Sequence, residues 1–159
     1  MEFGNFIVEV EPQYQGFVGS LHEYLLQNGC LLKMTSAKNG YVVSYQHGKK
    51  KRVIMNFVFR KSGLFTRIYC DHIGKYIEAL EGISANMVKT IEKAPLCKRF
   101  DDPSQCNSKC SGYVFTLKGK QHQKCRYNCF LFAVSGESIP FIRTLFENEL
   151  QYRTLAEAR

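Results

Sequence analysis

Three β-prone runs between Tyr41 and Cys70, each separated from the next by a tight turn, constrain this chain more than any other feature. Tyr41, Val43 and Tyr45 alternate with Val42 and Ser44 behind an Asn39-Gly40 turn signal. His47-Gly48-Lys49-Lys50-Lys51 makes the next turn. Residues 53–59 are almost continuously apolar and β-prone, which predicts a central strand. Lys61-Ser62-Gly63 turns the chain again. Residues 64–70 then read as a strand with Phe65, Arg67 and Tyr69 on one face.

The flanking chain supplies helices and further strands. Residues 6–10 read as a short strand that Pro12 stops. Over 13–28, Phe17, Leu21, Tyr24 and Leu25 recur at helical spacing, and Gly29 ends the run. Residues 30–34 predict a strand. Helical spacing returns with Tyr76, Ile77 and Leu80, then with Met87, Val88 and Ile91. Gly82 splits the two, and Ser84 caps the second. Residues 113–117 and 125–134 predict a hairpin across Lys118-Gly119-Lys120. A last helix begins near Ser138, with Pro140 in its first turn. Its apolar stripe is Phe141, Ile142, Leu145, Phe146 and Leu150.

Strands joined mostly by hairpins, with few helices, imply an α+β fold. The expectation is a mostly antiparallel sheet of about six to seven strands covered by three or four helices. A pair of strand–helix–strand–strand halves, opening at 6–10 and 64–70, is the alternative; such halves often flank a small-ligand cleft. At 159 residues the chain makes a single domain, 1–159, with a cysteine-rich loop and hairpin at 96–130 inside it. A chain of this size buries roughly two-thirds of its unfolded surface, so it needs no cross-links to hold a core. The N-terminal residues carry Glu2 and Glu9 and no long apolar run, which predicts a cytoplasmic chain with reduced thiols. No stretch is long and apolar enough to span a membrane, so a membrane partner is not expected.

Five of the seven cysteines fall within this segment, in the pattern Cys97-x8-Cys106-x3-Cys110-x14-Cys125-x3-Cys129. Two close pairs of thiols separated by a longer spacer are a common arrangement for a structural zinc site with four cysteine ligands, although the pairs here are x3 rather than the usual x2. Geometry selects among them. If Cys125 and Cys129 share one strand, their Cα atoms lie roughly 13 Å apart. Ligand sulfurs on one zinc lie a little under 4 Å apart, as bonds of about 2.3 Å require. The expected ligands are therefore Cys97, Cys106, Cys110 and Cys125, with Cys129 a buried neighbour. If the chain turns at 126–128, Cys129 replaces Cys97. The polar loop Asp101-Asp102-Pro103-Ser104-Gln105 cannot pack a core, and a metal would tie it down. Lys98, Arg99, Lys109, Lys124 and Arg126 adjoin these thiols and favour thiolate, which serves a redox sensor or thiol enzyme as well as a metal site. Simple burial is the third reading, and for Cys30 and Cys70 it is the expected one.

The chain carries 22 basic and 14 acidic residues, a net charge of +8, which favours nucleic acid or another anionic partner. Lys49, Lys50, Lys51 and Arg52 would sit at a hairpin tip suited to a phosphate backbone. Tyr41, Tyr45, Phe57 and Phe59 would add base stacking if they faced outward, against the alternative that they fill the core. His122 is a spare metal ligand or a solvated turn residue. Asp71-His72 follows a strand and offers an acid–base pair, but adjacent strand residues point to opposite faces, so a coincidence of loop residues is the expected reading. No Gly-x-Ser-x-Gly elbow, phosphate-cradling glycine loop or His-Glu-x-x-His motif occurs, so a non-enzymatic binding module with a structural zinc is expected ahead of an enzyme.

Overall fold

The computed structural model describes residues 2–80, 82–108, 110, 112–127 and 130–158. Four α-helices and seven strands form among them. The helices are α1 (Phe3–Ile7), α2 (Pro12–Gln27), α3 (Ala85–Lys93) and α4 (Ile139–Glu157). The strands are β1 (Leu31–Ala37), β2 (Gly40–His47), β3 (Arg52–Arg60), β4 (Gly63–Ile68), β5 (Tyr113–Leu117), β6 (Lys120–Lys124) and β7 (Phe130–Ala133). Every pairing is antiparallel. Five strands make one sheet in the order β1-β2-β3-β4-β7, and β5-β6 form a separate hairpin. The chain is a single α+β domain.

Register assigns each residue to a face, because directly opposed residues project to the same side. The rows Val43–Phe57–Thr66–Phe132 and Tyr45–Met55–Ile68–Phe130 are buried and line the inner face. Phe6 of α1 stacks on Phe57, His22 of α2 bonds Tyr45, and Phe141 of α4 meets Phe132 edge-on. Helices thus cover this face. The rows Ser44–Asn56–Arg67–Leu131 and Val42–Val58–Phe65–Ala133 line the outer face, where Ser44, Phe65, Arg67 and Leu131 stay partly exposed. Ser84 accepts a bond from Met87 N and caps α3 as its sequence predicts. Among the described residues, no helix is long and apolar enough to cross a membrane.

The helix expected from Tyr76, Ile77 and Leu80 forms only two 3-10 turns, Ile73–Lys75 and Ile77–Ala79. Two expectations about strands also change. The strand over 6–10 is the end of helix α1 and the turn after it. Five residues of alternation do not exclude a helical turn, and Phe3, Phe6 and Ile7 share the one face that α1 lays on the core. This removes the opening strand of the two-half reading. The partner of β5 is β6, not the run 125–134. Lys118 and Gly119 both take left-handed backbone (φ 50° and 74°), the geometry of a two-residue hairpin turn, which sets Leu117 opposite Lys120. Lys-Gln-His-Gln-Lys has no apolar run to mark it as a strand. The chain then leaves the hairpin, bends at Arg126 and Tyr127, and returns to β4 as β7.

Candidate functional site

The outer face of the sheet is the floor of a cleft of about 1090 Å³. β3 supplies a cation at each end, Arg52 and Arg60, and β4 supplies Arg67 and, just past its end, Tyr69. The opposite wall is the cysteine-rich segment, which contributes Cys97, Lys98, Cys106, Cys110, Cys125, Arg126 and Tyr127. Five cations thus line one cleft, against Asp71 as its acid. Arg52 and Arg126 pair with Asp71, at 3.4 Å and 2.6 Å. Arg60, Arg67 and Lys98 have no ion pair among the described residues. Tyr127 is 93% exposed at the rim, an unusual placement for a large aromatic side chain.

The segment that forms the wall is held by its own backbone. Cys97 N donates to Gln123 O at 3.1 Å and Cys125 N to Pro95 O at 2.8 Å, so the start of the loop is stitched to the end of β6. Arg99 Nη1 donates to Ser108 O and Cys110 O, at 3.0 and 2.6 Å, and gathers the far side of the loop. Asp102 accepts from Ser104 N and Oγ and shapes the short turn 103–105. Gly112 (φ 68°) packs where a Cβ would stand 2.8 Å from Lys124 O and 3.1 Å from Cys97 Sγ, so only glycine fits there. Lys124 is 3% exposed, and its Nζ donates to Glu92 O and Ala94 O at the C-terminal end of α3. Its charge serves that helix end.

All four cysteines expected as zinc ligands line this cleft: Cys97 buried, Cys110 and Cys125 half-buried, Cys106 exposed. Among the described residues, no three His, Cys, Asp or Glu side chains stand close enough together to hold one ion. Cys129, the substitute ligand, lies outside the described residues. β6 ends at Lys124, so Cys125 is not within a strand and the chain bends directly after it. The premise that set Cys129 aside, a strand containing Cys125, therefore does not hold. Cys30 and Cys70 are core residues, 4% and 0% exposed. His122 is not a solvated turn residue: it is buried in β6 and stacks on Phe115 at 5.2 Å, and burial lowers its pKa.

Beside the cleft lies a buried ion network that sequence spacing does not reveal. Glu149 of α4 is 0% exposed. Its Oε1 accepts from Asp71 N, His72 Nδ1 and Arg153 Nε, and its Oε2 from His72 N and Tyr76 Oη. Burial alone would raise the Glu149 pKa, but the bond from His72, the Arg153 charge and the bond from Tyr76 outweigh it and hold the carboxyl below its ordinary value. Arg153, 5% exposed, also donates to the carbonyls of Arg52, Val53 and Tyr69 and pairs with Asp71 at 3.4 Å. Burial moves the Asp71 carboxyl up, against the pull of Arg153 and Arg52. Asp71 and His72 are therefore joined through Glu149 rather than to each other. The signal available in sequence was Glu149 and Arg153 four apart on the apolar stripe of α4.

Lys49, Lys50, Lys51 and Arg52 are exposed at the β2–β3 turn. Lys49, Lys50 and Arg52 border a smaller cavity of about 340 Å³ together with His72, Arg153 and Glu157. Arg52 lines both spaces, so the tip is continuous with one end of the large cleft. The aromatics near the tip do not face outward. Tyr45 and Phe57 are fully buried, and Tyr41 and Phe59 pack against the core. Comparison of the chain with protein-family models, curated proteins and solved structures found no match.

Proposed function

We propose that this protein is a binding module that takes an anionic ligand into the cleft between the outer sheet face and the cysteine-rich segment. The observation that carries this reading is the set Arg60, Arg67 and Lys98, three cations without an acidic partner among the described residues, on two facing walls of one cleft. Cations collected in a concave, partly apolar site focus the field on an anion more strongly than the same charges on an open surface. The neighbouring carboxylates support binding rather than proton transfer, since Glu149 is saturated with donors and Asp71 is held by arginines. Titration with inorganic polyphosphate over a range of salt tests it. Binding should weaken steeply with salt, and Arg60→Ala with Arg67→Ala should abolish most of it. Affinity unchanged in that double variant would refute the cleft as the site.

A structural zinc is the second reading, favoured by one observation: four cysteines up to 28 positions apart in sequence line the same cleft. Four thiols beside Arg126 and Lys98 are a donor set suited to zinc. Cys97, Cys106, Cys110 and Cys125, with Cys129 as substitute, would hold it. The metal would fix the loop as a rigid wall of the cleft. Elemental analysis of protein purified under reducing conditions should find one zinc per chain, lost in Cys106→Ser. A folded, metal-free protein would refute this reading.

A further inference from the structure

We infer that the ligand of the cleft is a single-stranded nucleic acid, laid across the sheet floor between Arg52 and Arg60 with a base stacked on Tyr127; this rests on the anion-binding reading above. Length is the first argument. Arg52 and Arg60 both line the cleft and stand at the two ends of β3, so it extends roughly 25 Å at the usual strand rise. That length suits several consecutive phosphates better than one phosphate group or a mononucleotide.

The arrangement of charge is the second. Arg67 lies opposite Asn56, four residues from Arg60, so the floor presents cations in its middle and at one end, while Arg52, beyond a bulge in the β2–β3 pairing and paired with Asp71, borders the other end. Lys98 faces them from the other wall. A series of cations along a groove tracks a phosphodiester backbone, and this electrostatic part carries no sequence preference.

Aromatic placement is the third and separates nucleic acid from other polyanions. Tyr69 lies in the floor and Tyr127 at the rim, on opposite walls. Tyr127 is almost wholly exposed, so its ring is open to a partner. Exposed aromatic faces beside a basic groove are the platform on which unpaired bases stack, and a duplex, whose bases already stack on one another, cannot use them. Polyphosphate likewise offers no flat π-face.

The chain has no tryptophan, so Tyr127→Trp installs a single reporter at the rim. Short oligouridylate and oligodeoxythymidylate should quench it and bind roughly ten-fold more tightly than a duplex of equal charge or inorganic polyphosphate. A difference between the two oligomers would report a contact to the 2′-hydroxyl. Tyr127→Ala should weaken oligomer binding roughly ten-fold and leave polyphosphate binding unchanged. Lys98→Ala, a change at an exposed position, should weaken every polyanion and reduce the salt slope by about one. Equal affinity for oligomer, duplex and polyphosphate without quenching would overturn the nucleic-acid inference and leave the anion cleft standing. Absence of binding to any of the three would overturn both.

Discussion

Arg126 Nη2 lies 2.6 Å from Asp71 Oδ1, and this contact ties the bend after β6 to the ion network at the end of β4. Asp71 in turn pairs with Arg153 and Arg52. The cysteine-rich wall and the basic end of the cleft therefore meet on one carboxylate. Its backbone N–H is held by Glu149 at 3.0 Å, so the contact stands on a support anchored in α4.

Arg126→Ala should loosen the wall more than it destabilises the fold. Arg126 is partly exposed and Asp71 keeps two other arginines, so the loss should be about 1–2 kcal/mol. Amide exchange over residues 97–110 should quicken by more than exchange in β3. Equal changes in the two regions would show that the pair does not act as a latch.

Glu149→Gln should cost about 3–5 kcal/mol, read as a shift in the denaturant midpoint, because it leaves the Arg153 charge buried without its closest carboxylate. The same residue sets the acid limb of stability. Its pKa is lower in the folded chain than unfolded, so its contribution is complete above the ordinary glutamate range and is lost as pH falls through the folded value. Asp71, shifted upward, acts in the opposite sense. Thermal midpoints measured into acid should fall steeply in the wild type, less steeply in Glu149→Gln, and more steeply in Asp71→Asn.

Thiol reactivity should follow burial. Cys106, exposed, should react first with a disulfide reagent, and Cys106→Ser should remove that phase. Burial pushes the Cys30 thiol up to about 11 and the fully buried Cys70 well above its ordinary value, so both should react only on unfolding. If the segment carries zinc, a chelator should accelerate Cys106 and Cys110 and leave Cys30 unaffected.

Lys124→Met should cost about 1–2 kcal/mol, because the carbonyls of Glu92 and Ala94 lose a charged donor at the end of α3. Urea denaturation measures this directly. A neutral outcome would mean that the buried ammonium costs as much to desolvate as its two bonds return.

The hairpin-linked strands 40–68, helix α2, the Ser84 cap and the apolar stripe of α4 are legible in the sequence, because each depends on local periodicity or on one turn. Helix α1 is not: its short alternation fits two structures, and contact of Phe6 with Phe57 and Phe59 decides between them. β6 was missed because its strand character comes from the Lys118-Gly119 turn and not from its polar side chains.

The candidate site divides in the same way. The sequence by itself singled out the cysteine-rich segment and the basic tip, since thiol spacing and charge runs are properties of the chain. Only the tertiary structure brought that segment over Arg60, Arg67 and Tyr69, left Tyr127 at the rim and closed Glu149, Arg153 and Asp71 into one network. Those residues lie up to 93 positions apart, from Arg60 to Arg153, and no periodicity links them. Long-range strand pairing does: β7 returns to β4 only after the cysteine-rich segment has left the sheet, and that return places the segment beside the outer face.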